Sequence, residues 1–394
     1  MSREKLIEMA RHNAAHVVAG TVELADQIAE IPASHYFDEE RWELEMKQVF
    51  HRMPLMMAAS CELPAVGDYK ALSAAGMPVL ISRSKDGDVR AFVNMCRHRG
   101  AQIMPEGCGN THRFTCPYHA WNYNTEGELK GIYLSDEFGD LDKSANSLLP
   151  LPVLERAGLI WVIPNPEATL DIETFLSGYD DMLSHFDFSG WHMFAQSTIA
   201  GPNWKIAYDG YLDLYHLPIL HKETFGPDFP SQAMYYSWGP HQRVASPDPG
   251  LVKLLDEPED EWPDSSLLTG VWTIFPHISI ASFDGGGRGV MLSQLFPGDT
   301  PQTSFTVQNY MMEKPPKDEA QAEAATEQFG LLKYVVEVED YATGLRQQKA
   351  LMTGAMDHVM FGRNEGGGQN FHGWLDRILK TDDENLQALF ENPA

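Results

Sequence analysis

Two cysteines and two histidines recur as mixed pairs, Cys96-Arg97-His98 and Cys116-Pro117-Tyr118-His119, with 17 residues between them. Each pair fits within one short turn, so the chain must fold to bring two loops onto one metal centre. Two thiolates can hold one iron of a [2Fe-2S] cluster while two imidazoles hold the other, and the neutral ligands raise the reduction potential. Gly100 and Pro117 supply turn-forming backbone where such loops must bend. Tetrahedral zinc is the competing reading, but zinc fingers usually keep both histidines together after a cysteine pair. Mixed pairs favour the cluster, and with it electron transfer.

The motif resembles the Rieske iron-sulfur motif. Respiratory-chain Rieske proteins carry an extra cysteine in each loop, whereas here Arg99 to Ala101 and Tyr118 occupy those places, so no disulfide beside the cluster is expected. Cys61 and Cys108 fall outside both loops and read as small structural hydrophobes. With two of four cysteines assigned to metal, the composition suits a reducing cytoplasm.

At 394 residues the chain is too long for a cluster domain alone, which leaves a second domain to use the electrons. Its net charge of -27 disfavours nucleic acid and acidic membrane surfaces as partners. No apolar run is long enough to span a bilayer. The start, Met1 to Glu30, reads as an amphipathic helix rather than a signal peptide, so a soluble cytoplasmic protein is expected. Against the acidic background, Arg97, His98, Arg99, His112, Arg113 and Lys130 gather around the cluster loops. They form either a patch that steers an acidic redox partner or ordinary pairs with nearby carboxylates.

Along the chain, Tyr36 to Arg52 reads as a helix leading into the first domain. From Leu55 to Pro164, short apolar runs (Met77 to Ser82, Val89 to Val93, Arg113 to Cys116, Leu159 to Ile163) alternate with turns, as in a small antiparallel β domain. Lys85-Asp86-Gly87-Asp88 and Asn124-Thr125-Glu126-Gly127 are hairpin signals, and Pro164-Asn165-Pro166 closes the domain. Beyond it, Val271 to Ser282, Arg288 to Phe296 and Thr303 to Met312 read as three successive strands. Lys317 to Met352 reads as one long helix, Glu365 to Gly368 as a break, and a short helix ends near Phe390. The glycines at 285 to 287 make a hairpin turn rather than a phosphate cradle, so reducing equivalents must come from another protein.

The second chemical signal is Asn203-Trp204-Lys205 followed by Asp213-Leu214-Tyr215-His216-Leu217-Pro218-Ile219-Leu220-His221. Histidines five apart on a regular helix point roughly 140° from one another. Pro218 is expected to interrupt the helix and let His221 swing back toward His216. Two imidazoles and one carboxylate make the facial triad of non-heme Fe(II) oxygenases, with open positions for dioxygen and substrate. Asp340 is the choice for the carboxylate, against Glu337, Glu339 and Asp357. Leu212, Leu217, Ile219, Phe225 and Phe229 are either pocket lining or core.

These motifs, with Phe361-Gly362-Arg363-Asn364-Glu365-Gly366, resemble the Rieske non-heme iron oxygenases, the large (alpha) subunits of aromatic ring-hydroxylating dioxygenases and related demethylases, over roughly residues 36 to 380. The resemblance implies an α+β fold. A β-rich Rieske [2Fe-2S] domain (51–165) would be inserted in a catalytic domain whose antiparallel sheet is covered by helices, with 1–50 as its N-terminal helical part and 166–394 as its body. It implies that Cys96, His98, Cys116 and His119 hold the cluster, and that His216, His221 and Asp340 hold a mononuclear Fe(II). Asp213 would link His216 to His119 of a neighbouring subunit in a head-to-tail homotrimer, with or without a small beta subunit. Electrons would come from a separate reductase or ferredoxin, and a small apolar, aromatic substrate would be hydroxylated, dihydroxylated or dealkylated with O2. The alternative is a Rieske electron-transfer protein without oxygenase activity; a zinc-stabilised binding protein is a third reading. Asp209-Gly210 stands where many members have Glu-Asn, which removes that asparagine side chain from the iron's surroundings.

Overall fold

The structure is a computed structural model that describes residues 2–391; Met1 and residues 392–394, the outer ends of the first and last expected segments, lie outside it. Strands from Leu55 to Val162 build the expected antiparallel β region. Its largest sheet has five strands, in the order Pro150–Leu151, Val89–Val93, Met77–Arg83, Asp68–Ala74, Gly107–Asn110. Both hairpin signals fall at turns: Arg83 pairs with Val89 around the first, and Tyr123 pairs with Leu129 around the second.

A seven-stranded antiparallel sheet forms the second layer, in the order His192–Gly201, Ser304–Met312, Arg288–Pro297, Ile278–Asp284, Val271–Ile274, His241–Ala245, Met234–Trp238. The run read as one strand from Val271 to Ser282 is two, because Phe275-Pro276-His277 makes the turn between Ile274 and Ile278. Proline has no N–H for a ladder, so the chain reverses there. Three strands, His192–Gly201, Met234–Trp238 and His241–Ala245, carry no expectation from the sequence.

Because side chains alternate along a strand, the sheet presents two different faces. Gln294 donates to the Met56 carbonyl at 2.9 Å and His277 accepts from the Met56 N–H at 3.1 Å, which ties one face to the β domain through strand Leu55–Ala59. The other face carries Ser279, Ser293 and Gln308 and is covered by helices. The long helix is continuous but not uniform: α-helix Glu319–Tyr334, a π segment Val335–Tyr341, then α-helix Ala342–Leu351. Glu365 to Gly368 does not break regularity. Gly366 opens the helix Gly366–Lys380, and glycine is required because a Cβ on Gly367 would lie 2.4 Å from the Leu212 carbonyl oxygen. That close approach seats the helix against the loop that leads to Asp213.

The N-terminal segments are clamped to this layer. The helix read from Tyr36 to Arg52 is α-helix Glu39–Glu45 continued by a π turn, Met46–Phe50. Glu45, fully buried, accepts from Trp204 Nε1 at 2.9 Å, Lys205 Nζ at 2.5 Å and Arg41 Nε at 2.9 Å. Asn203 caps the helix Trp204–Asp209 by accepting from the Lys205 N–H at 2.9 Å. The Asn-Trp-Lys motif is thus a structural lock that fixes the start of the segment carrying the two histidines.

Candidate metal centres and substrate cavity

The two cysteine loops close in the same way. Cys96 N–H donates to the Ala101 carbonyl at 2.8 Å and accepts, through its own carbonyl, from Gly100 N–H at 2.9 Å; Cys116 does the same with Trp121 at 2.8 Å and Ala120 at 3.0 Å. The fourth residue after each cysteine must take positive φ: Gly100 has 75° and Ala120 has 56°. Both cysteines are buried. The imidazoles of His98 and His119 lie with ring centroids 4.8 Å apart, His98 stacking on Trp121 at 4.9 Å. His98 Nδ1 is buried without any hydrogen-bond partner. Buried nitrogens are seldom left so, and an orphan imidazole nitrogen beside two buried thiols fits an iron-sulfur group. Burial raises the Cys96 thiol pKa, opposed by the Tyr123 hydroxyl 3.4 Å from its sulfur.

The basic residues around these loops make no ion pair through Arg97, Arg99 or Arg113 among the described residues. Arg99 instead lies 4.7 Å above the Tyr118 ring, with Nη2 2.6 Å from His119 Nε2. Lys130 is paired with Glu128 at 2.5 Å. Tyr118 is exposed and Cys61 is partly buried, but Cys108 is exposed and does not fill the core as expected. It sits on Gly107–Asn110, an edge strand of the five-stranded sheet.

His216 and His221 flank a one-turn helix, Leu217–Leu220, as its first and last caps. Pro218 does not interrupt this helix. It lies in the first turn, where a missing N–H is harmless. His221 leaves helical geometry at φ -100° and ψ 22°, and the two rings come to 5.1 Å. Asp340 completes the group: one ligand atom each from His216, His221 and Asp340 lie within 4.8 Å of one another. Asp340 Oδ1 is 3.1 Å from His221 Nε2 and 3.8 Å from His216 Nε2.

The outer nitrogens are held as well. His216 Nδ1 is 3.0 Å from Asp213 Oδ1, and His221 Nδ1 is 2.7 Å from Glu339 Oε2. Each carboxylate fixes the tautomer that turns Nε2 inward. Burial opposes charging His216, but Asp213 and then Asp340 outweigh it and raise its pKa above 6.5. For His221, burial is likewise outweighed by Asp340 and Glu339. Of the competing acids, Asp357 is exposed and Glu337 faces Lys333 at 3.9 Å, so neither approaches the histidines. Glu339, weighed only as a ligand, turns out to grip His221 from behind. Glu339 and Asp340 both lie in the π segment, a wider turn that recurs at functional sites.

The triad opens on a cavity of 510 Å³, whose walls include Leu217, Phe225, Phe229, Phe283 and Val336. Leu212 is buried in the core and Ile219 is exposed, so neither lines it. A second cavity of 290 Å³ reaches the other side of His216 and Asp340 and is lined by Asp209 and Gly210. Asp209 is occupied in a network with Tyr36 at 2.8 Å and His372 at 3.0 Å. Within one chain His119 is not among Asp213's partners, which are the Tyr215 N–H, the His216 N–H and the His216 ring.

Comparison with known proteins defines the class. Residues 188–381 match the family profile described as "Ring hydroxylating alpha subunit (catalytic domain)", and residues 53–140 match "Rieske [2Fe-2S] domain". The chain belongs to the Rieske oxygenase large-subunit family, which joins a [2Fe-2S] domain to a catalytic domain that binds mononuclear iron. Among its relatives, the glycine betaine monooxygenase oxygenase subunit of Pseudomonas aeruginosa is 32% identical over 202 residues, covering 50% of this chain and 46% of the relative. The benzene 1,2-dioxygenase subunit alpha of Pseudomonas putida is 33% identical over 264 residues, covering 61% of this chain and 56% of the relative. The chain spans about half the length of the curated relatives it matches. Naphthalene 1,2-dioxygenase from Rhodococcus sp. superposes with a TM-score of 0.76 over 96% of this chain and 99% of that one, at 20% identity. The quaternary ammonium Rieske monooxygenase CntA with L-carnitine gives 0.74 over 90% and 97%, also at 20% identity. Among the described residues no helix is long and apolar enough to cross a membrane.

Proposed function

We propose that this chain is the oxygenase component of a Rieske-type system that takes electrons from a separate reductase or ferredoxin and oxidises a small apolar, aromatic-bodied molecule with O2. Residues 51–165 are then the cluster domain, set into a catalytic domain made of 1–50 and 166–394. Cys96, His98, Cys116 and His119 hold the [2Fe-2S] cluster, and His216, His221 and Asp340 hold mononuclear iron. When bound, the two groups supply one-electron transfer and dioxygen activation respectively. The observation that carries the reading is the convergence of His216, His221 and Asp340 at a largely apolar cavity, with both outer nitrogens gripped by carboxylates.

The protein's own part is positional. Asp213 and Glu339 hold the Nδ1 side of each imidazole and so aim both Nε2 atoms inward; Phe225 and Phe229 give the reacting face an apolar wall. Asp213 also bridges to His119 of a neighbouring subunit in a ring of three, working in the cytoplasm. Arg99 and Arg113, which pair with no carboxylate among the described residues, steer an acidic donor to the cluster loops. Relatives named for glycine betaine and carnitine act on molecules with a carboxylate, yet no lysine or arginine lines this cavity. That disfavours recognition of a carboxylate in this cavity.

Metal and acid-labile sulfide analysis tests the assignment. A cluster plus one further iron per chain is expected; a cluster alone supports an electron carrier, and zinc without sulfide supports a structural metal. His216→Ala should keep the colour of the cluster but lose the third iron and substrate-dependent O2 consumption. Full oxygenation by that variant refutes the site.

A further inference from the structure

Most of the cavity wall is apolar, but one stretch of its floor is not. Ser279, Ser293 and Gln308 stand directly opposite one another on three adjacent strands: Ser279 pairs with Ser293, and Ser293 pairs with Gln308. All three line the 510 Å³ cavity together with His216, His221 and Asp340. Gln308 is 0% exposed and Ser279 1%. Both polar atoms of the Gln308 amide, Nε2 and Oε1, lack a hydrogen-bond partner, and so does Ser279 Oγ.

Such an arrangement is costly unless something else satisfies it. A buried amide without partners costs about 1–3 kcal/mol, and here two such side chains lie in one row on a sheet that elsewhere supplies Ala281, Phe283 and Met291 to the same cavity. A substrate that was pure hydrocarbon would seal these groups dry. A carboxylate or other anion would meet no lysine or arginine, and a cation would meet Gln308 and Ser279 with no free acid, since the lining acids Asp213 and Asp340 are engaged by the histidines.

Resting on the oxygenase reading above, we propose that Gln308, with Ser279, is a specificity-determining subsite that recognises a neutral carboxamide-like group on the substrate. Its amide N–H donates to the substrate carbonyl while its Oε1 accepts from the substrate N–H. Ser279 supplies a further donor. The apolar body of the substrate then lies along Phe225, Phe229 and Phe283 toward the iron ligands. A site built to hydrogen-bond a polar group rejects the analogue that lacks it far more strongly than an apolar pocket rejects a methylene.

The test is equilibrium binding of two probes of nearly equal shape, benzamide and α-methylstyrene, to the iron-loaded, cluster-containing protein by titration calorimetry. Wild type should bind benzamide at least about tenfold more tightly than α-methylstyrene. Gln308→Leu and the near-isosteric Gln308→Met should abolish or reverse that preference, chiefly by weakening benzamide, and Ser279→Ala should weaken benzamide by a smaller factor. Three results overturn the proposal: equal or tighter binding of the hydrocarbon by wild type, no detectable binding of benzamide, or variants that lose affinity for both probes equally. Iron and sulfide content and O2 uptake judge the oxygenase reading separately, and none of these binding outcomes alters them.

Discussion

Replacing Glu339 should weaken iron binding without touching the cluster. Its carboxylate lies 2.7 Å from His221 Nδ1 and shares the one Thr224 hydroxyl proton between its two oxygens, 2.6 and 2.8 Å from Oγ1. The side chain is only 13% exposed, so water is a poor substitute. Losing a carboxylate behind a metal-bound histidine typically lowers metal affinity by 10- to 100-fold, or about 1.4–2.8 kcal/mol. Glu339→Ala removes both orientation and charge and should fall toward the upper end. Glu339→Gln keeps an acceptor for the ring N–H and should fall toward the lower. Because Glu339 also raises the His221 pKa, its removal weakens proton competition near neutral pH and masks part of the loss. The comparison therefore belongs on the plateau where affinity no longer rises with pH, since metal there displaces no protons. Anaerobic Fe(II) titration against a competing chelator gives the affinity, and the visible absorbance of the cluster reports on the β domain. Glu339→Ala binding iron within about twofold of wild type would refute the orienting role. Parallel loss of cluster and iron would mark a general folding defect instead.

Other perturbations probe the frame around the site. Glu45→Ala strands the buried Lys205 ammonium, whose pKa burial already lowers, and should cost about 3–5 kcal/mol in urea unfolding. Lys205→Met should cost less, because Glu45 keeps Arg41 and Trp204; equal losses would contradict the argument. Burial lowers the pKa of His241 to about 4 and that of His277 to about 3. Between these values and the unfolded value of about 6.5 the unfolded chain binds more protons, so stability should fall as pH drops, by up to about 1.4 kcal/mol per pH unit for each group. His277→Gln should show a shallower acid slope than wild type, and identical slopes would refute the assignment. Tyr123 OH accepts from the Arg97 N–H at 3.1 Å, which leaves its own proton for Cys96 Sγ at 3.4 Å. Hydrogen bonds to cluster sulfurs favour the reduced state, so Tyr123→Phe should lower the midpoint potential by about 40 mV, the one-electron equivalent of about 1 kcal/mol. An unchanged potential would show that the hydroxyl does not reach the sulfur.

What could be read from the sequence was whatever is encoded within a few residues. Cys96 to His98, Cys116 to His119 and His216 to His221 each complete a local turn, so spacing alone displays them. Asp340 is different: its approach to His221 depends on a helix more than 100 residues downstream, and on a π segment that shifts the facing of Glu339 and Asp340. Adjacent helical acids ordinarily read as a solvated face, so nothing in the sequence signals that Glu339 grips the outer nitrogen of His221. Pro218 misled for a related reason, since proline breaks a helix interior but starts a helix just as readily. Gln308 carried no signal at all. Within Val307-Gln308-Asn309 one polar residue in a strand looks like any outward-facing one, and only the seven-stranded register shows Gln308 beside Ser293 and Ser279 on the inward face. The cysteine and histidine turns proposed to hold metal are thus local and visible, whereas Asp340, the Glu339 carboxylate that orients His221 and the proposed Gln308 subsite arise from packing and pairing between distant helices and strands.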